Sequence, residues 1–204
     1  MIKGKKLLEA ELVLLDLIND NSENPNYFHA LEKCKNLDGD LDEIKRKKLL
    51  DLYEELCKKY PKSKVIQIIP LKYATGIEFI EVITCYLVKM FRKGVPSLFK
   101  SIIFLLEEKE KALTIKNVVE DFHKRLIEEN ILFKDQTGIC EIILEKESPP
   151  VYLWVAYFLA QMHDYYKEYK IALEFLNLAI DHSPTAVELY MMKARVYKVF
   201  KTFI

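Results

Sequence analysis

Small residues at fixed intervals constrain residues 153–186 more than any other feature of the chain. With Leu153 counted as the first position of a unit, Ala160 falls at position 8, Ala172 at 20 and Ala179 at 27. Leu159 and Leu176 occupy positions 7 and 24, and Pro184 falls at 32. An alanine side chain ends at Cβ, so helices that meet at alanines can approach closely, and a proline then stops the helical ladder. The register survives that break. From Val187 as a new first position, Tyr190 stands at 4, Ala194 at 8 and Tyr197 at 11.

This is the spacing of a tetratricopeptide repeat, a helix–turn–helix unit of about 34 residues. Ala156 at position 4 and His163 at position 11 depart from it. Weaker matches lie upstream, where Ala10, Leu14 and Leu17 suit positions 20, 24 and 27. Leu49, Tyr53, Leu56 and Pro61 suit the following unit, with the loop at Gly39 stretching the interval. The expectation is an all-α solenoid of degenerate repeats, a single helical-repeat fragment over residues 1–204. Its clearest unit is 153–186, followed by a half-repeat at 187–204 and preceded by an irregular link at about 130–150.

The rest of the chain reads as helices. Leu7, Leu8, Leu12, Leu15 and Ile18 recur at helical intervals, and only five Gly and seven Pro are present. Further helices are expected at Pro25–Cys34, over the run carrying Leu49, Leu50, Tyr53 and Leu56, and at Gly76–Met90. Others are expected at Ser97–Leu106, at Thr114–Glu129 and onward from "SPP" at 148–150. "VIQIIPL" has strand-like composition, but Pro70 favours a short helix or an extended connector. "GICEIILEK" reads as one short helix. Ser183 before Pro184 reads as helix-start chemistry.

Half of the residues are apolar, enough for a substantial core, and Lys plus Arg equals Asp plus Glu at 31 each. Net charge therefore draws the chain toward neither nucleic acid nor acidic membranes. Cys34, Cys57, Cys85 and Cys140 contain no CxxC pair, so reduced thiols and no zinc site are expected. The apolar run "VYLWVAYFLA" is too short to span a bilayer, and a soluble, cytoplasmic protein is expected.

Catalytic equipment is missing from the sequence. GxSxG, GxGxxG, P-loop and HExxH patterns do not occur, and the scattered glycines form no phosphate-cradling turn. His29, His123, His163 and His182 read as packed or solvated side chains. His163 and Asp164 are adjacent, and helix neighbours point in different directions. In "NLDGDLDE" the glycine and the closing acid are misplaced for a calcium loop, and its acids suit the start of the next helix. No catalytic residue and no metal ligand is assigned.

Basic clusters occur at Lys45-Arg46-Lys47-Lys48, from Lys58 to Lys64, and at Arg92-Lys93. Solvated helix faces are the plain reading, with RNA contact as the rival. On the last half-repeat, Arg195 and Lys198 share a face and could converge on one anion, while Lys193 points elsewhere. Inner-helix positions hold Trp154, Tyr157, Phe158, Gln161, Glu188 and Met192. This set lacks a carboxylate clamp and suits an apolar groove that receives a partner helix.

Four passages carry a family resemblance: "LEKCKNL", "YPKSKVIQIIPL", "RKGVPSLFKSI" and "PPVYLWVAYFLAQMHDYYKEYKIALEFLNLAIDHSPTAVELYMMKARVYK". In their order and intervals, over most of residues 20–198, they resemble the auxiliary subunit of the NatA N-terminal acetyltransferase complex. The family's chain is much longer, so this would be a central piece of it. The link at 130–150 is shorter than the family's, and "VFKTFI" replaces its Gly-Asn turn.

The resemblance implies a tetratricopeptide superhelix around a separate catalytic acetyltransferase subunit, which binds acetyl-coenzyme A and acetylates nascent chains at the ribosome. It also implies an inositol polyphosphate pocket, to which Lys193, Arg195, Tyr197 and Lys198 of "KARVYK" correspond. The expected function is thus a non-catalytic scaffold without a cofactor of its own. The alternative is a helical-repeat scaffold of an RNA-processing assembly.

Overall fold

Short polar side chains mark where the helices begin. The computed structural model describes residues 2–39, 42–128, 133–134, 141–142 and 147–202. Its helices are α1 (Ile2–Asp20), α2 (Pro25–Cys34), α3 (Glu43–Lys59), α4 (Lys64–Tyr73) and α5 (Gly76–Lys93). Then come α6 (Leu98–Ile102), a 3-10 turn at Ile103–Glu107, α7 (Lys109–Glu128), α8 (Pro149–Tyr165), α9 (Tyr169–His182) and α10 (Val187–Thr202). The chain is all-α and divides into two compact units, residues 1–82 and 83–204.

Asn24 accepts the Asn26 N–H at 3.1 Å, with Pro25 in the first turn where its missing N–H costs nothing. Asp42 accepts the Lys45 N–H at 2.7 Å and so caps α3. Ser63 accepts the Ile66 N–H at 3.4 Å, while its own hydroxyl donates to the Ser22 carbonyl at 2.6 Å. That second bond ties the start of α4 to the turn after α1.

Three helix ends share one device. Asn36, Gly94 and Lys167 each have positive φ, and the next N–H reaches back five residues, as in Leu37 to Glu32, Val95 to Met90 and Glu168 to His163. This satisfies carbonyls that the helix would otherwise leave open. Glycine is required only at Gly94. A Cβ there would lie 2.7 Å from the Trp154 Nε1 atom.

In the first unit, Ile18, Phe28, Leu31, Leu49, Tyr53, Leu56 and Ile66 form the core. The strand-like "VIQIIPL" lies within α4, with Pro70 inside the helix. Pro70 has no N–H to give the Ile66 carbonyl one turn earlier. The Cys57 thiol of α3 donates to that carbonyl at 3.8 Å. A neighbouring helix thus supplies the bond the proline omits.

Glu32 of α2 is buried, yet three side chains meet it. Tyr53 of α3 and Tyr73 of α4 both donate to Oε1, the latter at 3.0 Å, and His29 Nδ1 lies 3.1 Å from Oε2. Burial, reinforced by the Glu32 bond and charge, pushes both phenols well above their ordinary pKa and keeps them as donors.

In the second unit, Phe91 stacks on Phe122 at 6.0 Å, and Phe158 meets Phe91 and Phe99 edge-on, each at 5.5 Å. Ala160, Ala172, Leu176, Met192 and Val196 form one cluster of α8, α9 and α10, and Leu153, Ala156, Ala179, Ile180 and Leu189 another. Of the alanines singled out by spacing, Ala160, Ala172 and Ala179 are fully buried, whereas Ala194 on α10 is exposed.

Several sequence expectations change. The helix expected at Ser97–Leu106 is a single α-turn followed by a 3-10 segment, and α7 begins five residues before Thr114. Within "GICEIILEK", Glu141–Ile142 (β2) is extended and pairs antiparallel with Phe133–Lys134 (β1), Phe133 opposite Ile142. Residues 138–140 and 143–146 of that passage, Cys140 among them, lie outside the described residues. Ser183 closes α9 through its N–H to the Ala179 carbonyl and does not open α10. A turn over 184–186 intervenes, because Pro184 and the two residues after it must redirect the chain before a new helix can start.

Candidate partner-binding face

On α8, Trp154, Tyr157, Gln161 and Asp164 recur at intervals of three, four and three, which places them on one stripe. All four are half-buried, between the core-facing residues and the exposed end of the helix at Tyr165. The stripe is graded. Trp154 and Tyr157 form an edge-on aromatic pair at 6.3 Å at one end, and Asp164 accepts from Arg195 of α10 at 2.6 Å at the other.

Two packing contacts set the aromatic end. The Gly94 turn lies directly against the Trp154 indole, and Trp154 and Tyr157 both rest on the cluster of Leu153, Ala156 and Ala179. Burial raises the Tyr157 pKa; the Arg195 charge offsets part of this, and Glu188 adds to it. The phenol stays neutral and able to donate at neutral pH.

Phe158 and Met192 do not line this face. They are 2% and 5% exposed and belong to the core, Phe158 against Phe91 and Phe99 and Met192 against α8 and α9. Helical period identifies a face but not which neighbouring helix covers it. Glu188 is exposed at the rim, as its position on the inner side of α10 allows.

Arg195 is engaged by Asp164, and Lys198 is exposed one turn further on the same side. Lys193 is half-buried, and Tyr197, one turn beyond it, is 42% exposed. The Asp164–Arg195 contact was not singled out by sequence, since its partners are 31 residues apart on different helices.

His163 and Asp164 diverge. His163 is buried with Nδ1 2.6 Å from Glu168, while Asp164 turns to Arg195. Asn36 and Gly39 form the end of α2 and the loop after it, and Asp42 caps α3. Among the described residues, no group of three or more His, Cys, Asp or Glu is arranged to hold a metal ion. No described helix is long and apolar enough to cross a membrane.

Comparison with known proteins converges on one family. The family described as N-terminal acetyltransferase A, auxiliary subunit, matches residues 1–200. "N-alpha-acetyltransferase 16, NatA auxiliary subunit" of Mus musculus is 36% identical over 198 residues, covering 97% of this chain and 22% of the relative. The Arabidopsis thaliana "N-terminal acetyltransferase A complex auxiliary subunit NAA15" is 31% identical over 199 residues, with coverage of 96% and 21%. The chain therefore spans about a fifth of the length of these relatives.

A solved structure of Naa15/Naa10 bound to HypK-THB matches with a TM-score of 0.77 and 27% identity, over 96% of this chain and 26% of that one. With its stacked helices, its buried alanines and this agreement along nearly its whole length, the chain belongs to the auxiliary-subunit family of N-terminal acetyltransferase A.

Proposed function

We propose that this chain is a scaffolding segment of a NatA auxiliary subunit, which binds and positions a separate catalytic acetyltransferase subunit and transfers no acetyl group itself. The observation that carries the reading is the graded stripe of Trp154, Tyr157, Gln161 and Asp164 on α8. Aromatic anchors beside a charged rim suit a partner helix, which would bury the rings and meet the charges at its edge. The similar Naa15 fold, seen in a complex with Naa10, supports such a partner. In the longer protein this role belongs at the ribosome in the cytoplasm, during synthesis of the chains to be acetylated.

An inositol polyphosphate at Lys193, Arg195, Tyr197 and Lys198 is a secondary part of the proposal. It requires Arg195 to exchange Asp164 for phosphate, which the same guanidinium fork can grip and which carries more negative charge.

Co-purification with the catalytic subunit tests the main reading. The chain should retrieve that subunit, and Trp154→Ala together with Tyr157→Ala should weaken retrieval at least tenfold, about 1.4 kcal/mol or more. Acetyl transfer to a peptide N-terminus by this chain alone would overturn the non-catalytic role. Salt-sensitive RNA binding with no catalytic subunit retrieved would instead favour an RNA-processing scaffold.

A further inference from the structure

His123 of α7 and His163 of α8 are both buried, at 8% and 3% exposure, and both pack on Phe175 of α9. The His163 ring lies nearly parallel to Phe175, and the His123 ring meets it edge-on, each at 5.4 Å. Tyr152 of α8 stacks against His123 at 5.2 Å and lies 6.0 Å from His182 of α9. Neither buried Nε2 atom has a hydrogen-bond partner. His123 thus joins α7 to the α8–α9 hairpin through Phe175, on which His163 packs from within the hairpin.

Their electrostatic surroundings differ. His163 Nδ1 has the Glu168 carboxylate at 2.6 Å, so a charge on that ring meets a counter-charge. Around His123, α8 contributes Tyr152, and no charged residue occurs on α8 from Pro149 to Met162. From α9 come Phe175 and, beyond Tyr152, His182, while Lys170, Glu174 and Asp181 are exposed. On α7 itself, Glu120 and Arg125 are half-buried, and Asp121 and Lys124 are exposed 4.0 Å apart.

We propose that His123 makes the seating of α7 on the α8–α9 hairpin acid-sensitive. Its protonation puts a cation between Tyr152 and Phe175 and releases the C-terminal half of α7. The His163–Glu168 contact and the α9–α10 cluster stay closed. Burial also lowers the His123 pKa below its ordinary 6.5. The unfolded chain therefore takes up this proton first as pH falls. Stability from a neutral His123 is complete above about pH 6.5 and declines as pH drops toward the folded-state pKa.

Amide hydrogen exchange on the whole chain at about pH 7.5 and about pH 5.5, corrected for intrinsic rates, tests this. Protection over Val119–Leu126 should fall at the lower pH, while Leu173–Ile180 keeps its protection. His123→Phe keeps an aromatic ring and removes the proton acceptor, so it should abolish the difference. Equal loss along the whole chain, or an undiminished loss in His123→Phe, would overturn the proposal. If that variant fails to fold, imidazole NMR of the unaltered chain decides. Titration of His123 below its ordinary value supports the switch, and titration at or above that value sinks it.

Discussion

In residues 1–82, three helices meet at a carboxylate, whereas α8, α9 and α10 meet at alanines and apolar side chains. Glu32 gathers Tyr53, Tyr73 and His29 from three helices, so directional bonds specify how α2, α3 and α4 fit. Ala160, Ala172 and Ala179 specify the other packing by leaving room, which Leu176, Leu189 and Val196 fill. The first arrangement fails when a partner is deleted, because the buried Tyr53 hydroxyl and the half-buried Tyr73 hydroxyl lose their acceptor. The second fails when an atom is added, because a close-packed interface has nowhere to put it. The difference separates two ways of fixing a helix array, by polar bonds and by steric room.

Deletion at the polar junction should have the largest effect. Glu32→Ala strands the buried Tyr53 phenol and the half-buried Tyr73 phenol and should cost about 3 kcal/mol in residues 1–82, measured as a lowered urea midpoint. Exchange protection in α9 should be unaffected. An equal loss of protection there would show that the two packings do not act separately.

Addition at the alanine seam should rank second. Ala172→Leu forces new methyl groups between α8 and α9 and should cost about 2 kcal/mol. Thermal melting checks this, and an unchanged melting temperature would mean that the seam can yield.

The smallest effect concerns a mixed case, the thiol that meets a backbone carbonyl beside Pro70. Cys57→Ala should cost about 1 kcal/mol by leaving the Ile66 carbonyl without that donor. Cys57→Ser should recover part of it. Adding Pro70→Ala to Cys57→Ala should recover more, since the new N–H can reach the same carbonyl. Additive losses in the double variant would reject this assignment.

The contrast explains what could be read from the residues alone. Alanine spacing is a local, periodic signal, and it marked Ala160, Ala172 and Ala179 on α8 and α9 but not the equally buried Ala156. Pro25 and Asp42 act within one turn of their own position, and both were readable as helix starts. Glu32 bonds tyrosines 21 and 41 residues away, and no local pattern encodes those contacts. Trp154 and Tyr157 on the candidate face were legible by register, but Phe158 and Met192 were not separable from them. Their burial depends on Phe91 and Phe99 and on the α9 side chains, which neither local stretch contains.

The Gly94 turn against the Trp154 indole also makes this protein its own optical sensor. Trp154 is the single tryptophan of the chain, and it sits half-buried on the face assigned to the partner. Its emission, excited selectively, reports polarity at that one place. A partner without tryptophan that docks there should shift the emission to shorter wavelength without any label, so occupancy can be followed in real time.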